Sequence, residues 1–349
     1  MRIRRLFALT VFLLCFQIVR SQPAADSGSK LTLLLFGDVN LGRKLGQELL
    51  KGNVDYPLSR MSPILRSADA VFVNLESPIT DQNGETESPT SNFIFCAPPA
   101  AAVALRKGGV TIVSTANNHA FDYSVRGLVE TIQNLDKEWI RHVGTSIDSV
   151  RHIRPVVLRR HGIRVGFLAY TQFINAAGPW QGRIAVFDSL LARRDIQLLK
   201  RKTDLVIVSF HGGTEYAQEP DAKTRRQMQS LVNAGADIVI GHHPHVPQGI
   251  DILNGKLIFY SLGNFIFNQS TDWAKRSFGV EVKVVKHHRA TVVAGIRLIP
   301  IRAYKQPSAD LTRSEIVALT DRLQKLSTAS IVSQNDSLFV TLPYQGRVQ

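Results

Sequence analysis

The chain has almost no cysteine. Of 349 residues only Cys15 and Cys96 carry a thiol. Cys15 lies in an apolar N-terminal stretch with the marks of a leader, which leaves Cys96 without a partner. No internal disulfide is therefore expected, and Cys96 reads as a buried apolar filler. The sequence also lacks a G-x-S-x-G elbow, which argues against a serine hydrolase of the α/β type. It has no G-x-x-x-x-G-K-[ST] loop, which argues against a nucleotide-driven motor. Acidic side chains are in the minority, 28 against 42 lysines and arginines, for a formal net charge of +14. Such a balance suits anionic envelope polymers or membrane surfaces. No basic segment is interleaved with aromatics, so nucleic acid is not the expected partner.

The N-terminus reads as a targeting segment. Arg2, Arg4 and Arg5 precede an apolar run from Leu6 to Val19, broken only by Thr10 and Gln17. Val19-Arg20-Ser21 offers a small residue at a cleavage point, so residues 1–21 are expected to be a signal peptide. The alternative is an uncleaved membrane anchor, for which the run is short of the roughly 20 apolar residues a spanning helix needs. Leu14 precedes Cys15 where a lipoprotein would have a small residue. Export to the periplasm, cell surface or medium follows as the expectation. Arg2, Arg4, Arg5 and Arg20 would leave with the leader, and the remainder stays basic.

With 44% hydrophobic and 20% charged residues the rest is ordinary globular sequence. Unbroken apolar runs of strand length recur at Leu31–Phe36, Val71–Val73, Val110–Val113, Val165–Ala169, Leu205–Phe210, Ile238–Ile240 and Leu257–Tyr260. Runs of this kind suit strands covered on both faces, as in α/β proteins. Helices are expected at Pro99–Lys107, Ser124–Lys137, Asp188–Lys202 and Pro220–Asn233, and a polar, turn-rich loop at Thr80–Pro89. From about residue 278 the pattern changes to antiparallel strands, Gly279–Val285 and Thr291–Ile301. A linker-like stretch at Ala303–Ala309 follows, then a helix opened by the capping-box spacing of Thr312 and Glu315, and a last strand at Ser337–Leu342.

The polar residues of interest follow these strands. Asp38 comes after the first run, Asn74 and Glu76 after the second, Asn117-Asn118-His119 after the third. His211 ends Leu205–Phe210, His242-His243-Pro244-His245 ends Ile238–Ile240, and Asn264 follows Leu257–Tyr260. Ligands of α/β folds bind outside the carboxyl ends of strands. Three imidazoles in five residues are costly as plain structure and suit a metal. Asp38 and Glu76 offer anionic oxygens, Asn118 a neutral oxygen, and His211, His243 and His245 nitrogens. A mixed O/N set suits Zn²⁺, Mn²⁺ or Fe rather than Ca²⁺ or a thiolate metal. His119 would lie beside such an ion and serve as proton donor. Arg43 is placed to bind an anionic group. Asn40, Asn74, His242, Glu215 and Asn264 are candidates for weak ligation or for support around the ligands, and Tyr216 for lining the cleft. His287-His288 reads as a surface pair.

These residues carry a resemblance. Gly37-Asp38-Val39-Asn40-Leu41-Gly42-Arg43, Asn74-Leu75-Glu76-Ser77-Pro78, Ala116–Asp122, His211–Tyr216, Gly241–Gly249 and Tyr260–Phe265 resemble, in order, the bacterial capsule synthesis family called CapA or PgsA. That family is linked to poly-γ-glutamate capsule production and is similar in fold to calcineurin-like metallophosphoesterases. The resemblance implies an α/β fold, a four-layer α/β/β/α sandwich over residues 30–302, with 303–349 as an extension packed on it. It implies that Asp38 matches the first aspartate of the phosphoesterase pattern and that Glu76 stands where a bridging aspartate is usual. His119 is then the proton donor, and His243 and His245 close the pattern. The pattern's D-x-H is D-x-N here, because Asn40 replaces the imidazole. One metal site is therefore expected rather than two. Two functions follow: a metal-dependent hydrolase of envelope-polymer production, or a non-catalytic component that binds polyanion. The partners implied are an anionic envelope polymer or its precursor and membrane-bound synthesis subunits.

Overall fold

In the computed structural model, which describes residues 28–149, 154–288, 290–334 and 337–343, the apolar runs become two sheets. The leader expected over residues 1–21 lies outside the described residues. The first half contains β1 (Ser29–Val39), α1 (Arg43–Leu50), α2 (Ser62–Leu65), β2 (Ala70–Leu75), α3 (Ala100–Gly108), β3 (Ile112–Ser114), α4 (Ser124–Lys137) and β4 (Arg141–Val143). Then come β5 (Val156–Arg160), β6 (Ile163–Thr171), α5 (Ser189–Lys200), β7 (Leu205–His211), α6 (Ala222–Ala234), β8 (Ile238–His242), β9 (Ile250–Leu253), β10 (Lys256–Phe259) and β11 (Asn264–Ile266). The chain continues with β12 (Arg276–His287), β13 (Ala290–Arg302), α7 (Arg313–Leu326), β14 (Ile331–Gln334) and β15 (Ser337–Val340). One sheet has the order β14-β15-β13-β12-β1-β2-β3-β4, with β11 set against the end of β1. The other has the order β5-β6-β7-β8-β10-β9.

Side-chain alternation along the strands sorts the core into layers. Successive strand residues face opposite sides of a sheet. On β1, Leu31, Leu33 and Leu35 face inward with Phe72, Val280 and Val282 of the same sheet. They meet Val165, Phe167, Ile207, Ile238 and Ile240 of the second sheet. Phe72 and Phe167 stack across the interface with centroids 5.7 Å apart. The other faces carry helices. Leu34, Phe36, Val71 and Val73 pack on Leu45, Leu49, Ala101, Leu105 and Leu135 of α1, α3 and α4. Leu168, Val206, Val208 and Val239 pack on Ile196, Leu199, Met228 and Leu231 of α5 and α6. The layer order is thus α/β/β/α. Neither sheet could leave a face open, which is why the strands read as continuous apolar runs.

Local signals set the element ends. The Asp188 and Asp221 carboxylates accept N–H bonds from the first turns of α5 and α6, so the second of these helices starts after Pro220 rather than at it. Thr312 and Glu315 form the expected capping box. Two helices, α1 and α2, and the short strands β4, β5, β9, β11 and β14 carry no period long enough to read. In α1 the central Gly46 weakens the helical pattern. It is required because a Cβ there would lie 2.7 Å from Thr86. β14 and β15 add to the first sheet beyond β13.

Asp204 clips the two sheets together. It accepts the Arg164 backbone N–H at 2.7 Å and the Lys286 ammonium of β12 at 3.2 Å, and pairs with the Arg164 guanidinium. Burial pushes the Asp204 carboxyl up, but these hydrogen bonds outweigh it and bring it down to about 2, from an ordinary 3.8. A carboxylate whose folded-state pKa is depressed adds stability above its unfolded value and loses it as pH falls through the folded one. Asp204→Asn is expected to cost about 1 kcal/mol at neutral pH. In acid titrations followed by circular dichroism, the variant should lack the part of the wild-type loss that falls between pH 3.8 and 2.

Candidate metal centre

Parallel register gathers the polar strand ends. Asp38 pairs in register with Asn74 of β2 and Asn264 of β11, and His211 of β7 with His242 of β8. Two glycines allow the close approach this needs. A Cβ on Gly37 would sit 1.7 Å from the Gly263 carbonyl oxygen, and one on Gly241 1.9 Å from that of Tyr260. Past β8 the chain turns sharply. His243 and His245 take left-handed φ angles of 95° and 59°, a conformation that costs non-glycine residues of order 1–3 kcal/mol each and collects at functional sites.

Glu76 lies at the centre. It is wholly buried, and neither carboxylate oxygen has a hydrogen-bond partner. Around Oε1 stand the Nε2 atoms of His245 at 3.7 Å, His211 at 3.9 Å and His119 at 4.0 Å. These separations are too long for hydrogen bonds. They match the spacing between ligands that share one ion at bonds of about 2.0–2.2 Å. Two donor groups overlap here, Glu76 with His243 and His245, and Asp38 with Glu76 and His211, each with its donor atoms within 4.8 Å of one another. A buried carboxylate without partners is strongly unfavourable unless a cation answers it, so the residues present fit a divalent metal.

The protonation pattern is divided: His211 and His243 are ready to ligate, while Glu76 and His245 would give up protons to a cation. Burial pushes Glu76 well above the usual carboxylate range. Burial also acts on Asp38, but the imidazoles of His242 and His245 outweigh it and hold that carboxyl well below the range. Burial lowers His211 well below its ordinary value and lowers His243 to about 4, which keeps both neutral as ligands. At His245 burial is outweighed by the charges of Glu76 and Asp38, and it rises to about 9.

Amides orient the donors. Asn264 Oδ1 lies 2.9 Å from His245 Nδ1, which leaves Nε2 free toward Glu76. Asn118 Oδ1 lies 2.7 Å from His211 Nε2, and Asn74 Nδ2 lies 2.8 Å from Asp38 Oδ1 and 3.2 Å from His211 Nδ1. The His243 backbone N–H donates to Asp38 Oδ2 at 3.2 Å. His119 Nδ1 contacts Asp122 Oδ2 at 2.7 Å, and its ring stacks on Phe95 with centroids 3.9 Å apart. The Arg43 guanidinium lies over the other part of this stack, 4.9 Å from the Phe95 centroid, and donates to the Asn92 carbonyl.

Several candidates have different places from those the spacing suggested. Asn40 Oδ1 accepts the Gly42 N–H at 2.9 Å, so its oxygen is engaged in the turn before α1 and is not a free donor. Glu215 is exposed and reaches His245 only through its charge. His242 is buried as the last residue of β8, with Nδ1 3.3 Å from Asp38 Oδ1 and outside both donor groups. Arg43 opens α1 with a left-handed φ of 54°. Asn74 and Asn264 bind ligand side chains. Tyr216 lies 6.2 Å from His245 between ring centroids. Two residues went unread, Asp122 and Phe95. For Asp122 the signal was available, a carboxylate three residues past His119; for Phe95 there was none.

The model of a family described as bacterial capsule synthesis protein PGA_cap matches residues 32–269. The chain is 31% identical over 286 residues to the capsule biosynthesis protein CapA of Bacillus anthracis, covering 78% of this chain and 67% of that protein. It is 28% identical over 270 residues to the PGA biosynthesis protein CapA of Bacillus subtilis, covering 75% and 70%. Among solved structures, the calcineurin-like phosphoesterase YfkN from Bacillus subtilis superposes with a TM-score of 0.48 at 17% identity, covering 86% of this chain and 97% of that one.

Glu76→Gln tests the reading of the buried carboxylate. At pH 8 without added metal the variant should be more stable than wild type, by about 1–3 kcal/mol, because the wild type holds a carboxyl whose ionisation burial disfavours and which therefore loses stability as pH rises above its ordinary 4.5. Mn²⁺ or Zn²⁺ should raise the melting temperature of the wild type and leave that of Glu76→Gln unchanged.

Proposed function

The chain belongs to the bacterial capsule synthesis family, and from that premise we propose that it is an exported component of capsule or poly-γ-glutamate production with a metal-dependent hydrolase site. The observation that carries the chemistry is the Glu76 carboxylate, buried without a hydrogen bond inside a ring of imidazoles. Asp38, Glu76, Asn118, His211, His243 and His245 would hold one ion of Mn, Zn or Fe. A second position would be the weaker one, since Asn40 stands where an imidazole would be and its oxygen already accepts the Gly42 N–H. When bound, such an ion lowers the pKa of a water and polarises a phosphoryl or carbonyl oxygen.

The protein's own groups supply the rest. His119 would hold a proton at Nε2 and pass it to the leaving group, with Nδ1 anchored on Asp122. Phe95 covers one face of that ring and fixes its plane. Beside the site an open cavity of about 730 Å³ is lined by Tyr216, Gln269, Lys275, Arg60 and Arg302. Lys275 has no carboxylate partner among the described residues. Lys275 and the hydroxyls beside the site suit an anionic polymer or its precursor as substrate, while Arg60 and Arg302 are engaged with Asp310 and Glu315. No helix among the described residues is long and apolar enough to cross a membrane. Export rests on the sequence of residues 1–21.

The missing imidazole at Asn40 favours a second reading, a component that binds polyanion with a reduced metal site and does no chemistry. One set of measurements separates the two. Metal content is measured on protein grown with Mn²⁺ or Zn²⁺, and phosphoester and amide substrates are screened. His243→Ala should lose the metal. His119→Ala should keep it and lose about 10²- to 10⁴-fold in kcat. Protein free of metal after supplementation would exclude the hydrolase reading, and turnover lost in both variants would exclude the second.

A further inference from the structure

The basic charge of this chain is not concentrated at the metal centre. It collects at the opposite end, where the parallel strands begin and α3, α4 and α5 finish. Hydrogen bonds join the segments there: His161 with Asp69 at 2.7 Å, and Lys286 with the Gly162 carbonyl at 3.0 Å. Some acids of this end are paired with its cations, while Asp136 lines the cavity beside Trp139, 62% exposed and 3.5 Å from His142, and Glu138 precedes Trp139 in the chain. Asp237 is held by Lys200 and Lys256, and Asp204 by Arg164 and Lys286. Lys30, Arg106, Arg160, Arg201 and Lys202 are exposed and have no carboxylate partner among the described residues. Among them Trp139, at the turn after α4, is 84% exposed with a left-handed φ of 57°. It shares a cavity of about 530 Å³ with Arg106, Arg141 and Arg160.

We infer that this end is a docking face for an anionic phospholipid bilayer, with Trp139 seated at headgroup level among the arginines. Charge and the exposed indole both support a bilayer as occupant. Unpaired arginines and lysines are drawn to the negative surface of acidic lipids within a Debye length. An indole, apolar in body and polar at its N–H, gains most at a water–lipid boundary. A soluble polyanion would satisfy the cations but leave the indole in water. Gly28, directly before β1, lies on this same end. The strand β1 then spans the domain. Eight steps from Lys30 to Asp38, at about 3.3 Å each, put the metal centre about 26 Å away and facing outward. Docking would therefore present the site away from the bilayer, where a growing or exported polymer is accessible.

Trp139 provides a native reporter of contact. The full chain is reconstituted on vesicles of phosphatidylcholine alone or with 30% phosphatidylglycerol, each containing brominated lipid, at 0.1 M salt. Brominated lipid should reduce the Trp139 emission at least twofold in the acidic vesicles and much less in the neutral ones. Trp139→Phe should abolish the quenchable component, which separates it from Trp180 and Trp273. Arg106→Glu combined with Arg160→Glu and Arg201→Glu should remove the difference between the two vesicles. The three arginine-to-lysine changes should retain it, and a metal-dependent melting shift in each variant checks that the fold is intact. Equal quenching in both vesicles, or none in either, would overturn the inference. So would a Trp139 response to soluble polyglutamate with none to acidic lipid. None of these readouts depends on turnover at the metal centre.

Discussion

Glu76 is fully buried with neither oxygen hydrogen-bonded, while three imidazole nitrogens stand 3.7–4.0 Å from one of them. A carboxyl in that state either keeps its proton or is answered by positive charge. The arrangement around it follows from that demand. Asp38 and His245 share charge beside it, Asn264 fixes His245, Asn74 fixes Asp38, and two histidines accept left-handed backbone to reach it.

The fold makes the cluster possible by covering every sheet face. With helices outside and the two sheets packed on each other, the carboxyl ends of the parallel strands are the place where polar side chains can converge without breaking the core. The amino ends are free of that chemistry and hold exposed cations instead. The domain is thus polar in two different senses at its two ends, a dry set of ligands at one and a solvated basic face with Trp139 at the other.

How much of this could be read beforehand depended on the range of each interaction. Strands buried on both faces show as apolar runs, so β1, β6, β7 and β8 were plain, and so was the box of Thr312 and Glu315. Short elements such as β4 and β9 have too few residues to show a period, and α1 is masked by Gly46. The ligand candidates were visible because they cluster at strand ends. Their partners were less so: the oxygen of Asn40 is taken by a backbone N–H two residues away, and Phe95 reaches His119 from an irregular loop.

The sequence by itself determined the chemistry available: which side chains are carboxylates, amides and imidazoles, that they follow apolar strands, and that the chain is basic with no disulfide to close it. Only the tertiary structure decided which of them meet. Residues up to about 200 positions apart, such as Asp38 and His243, touch because parallel strands in register end side by side. The same packing separates the unpaired cations from the ligands by the length of a strand. Position along the chain carries no record of either outcome, because both depend on how sheets stack and not on neighbouring residues.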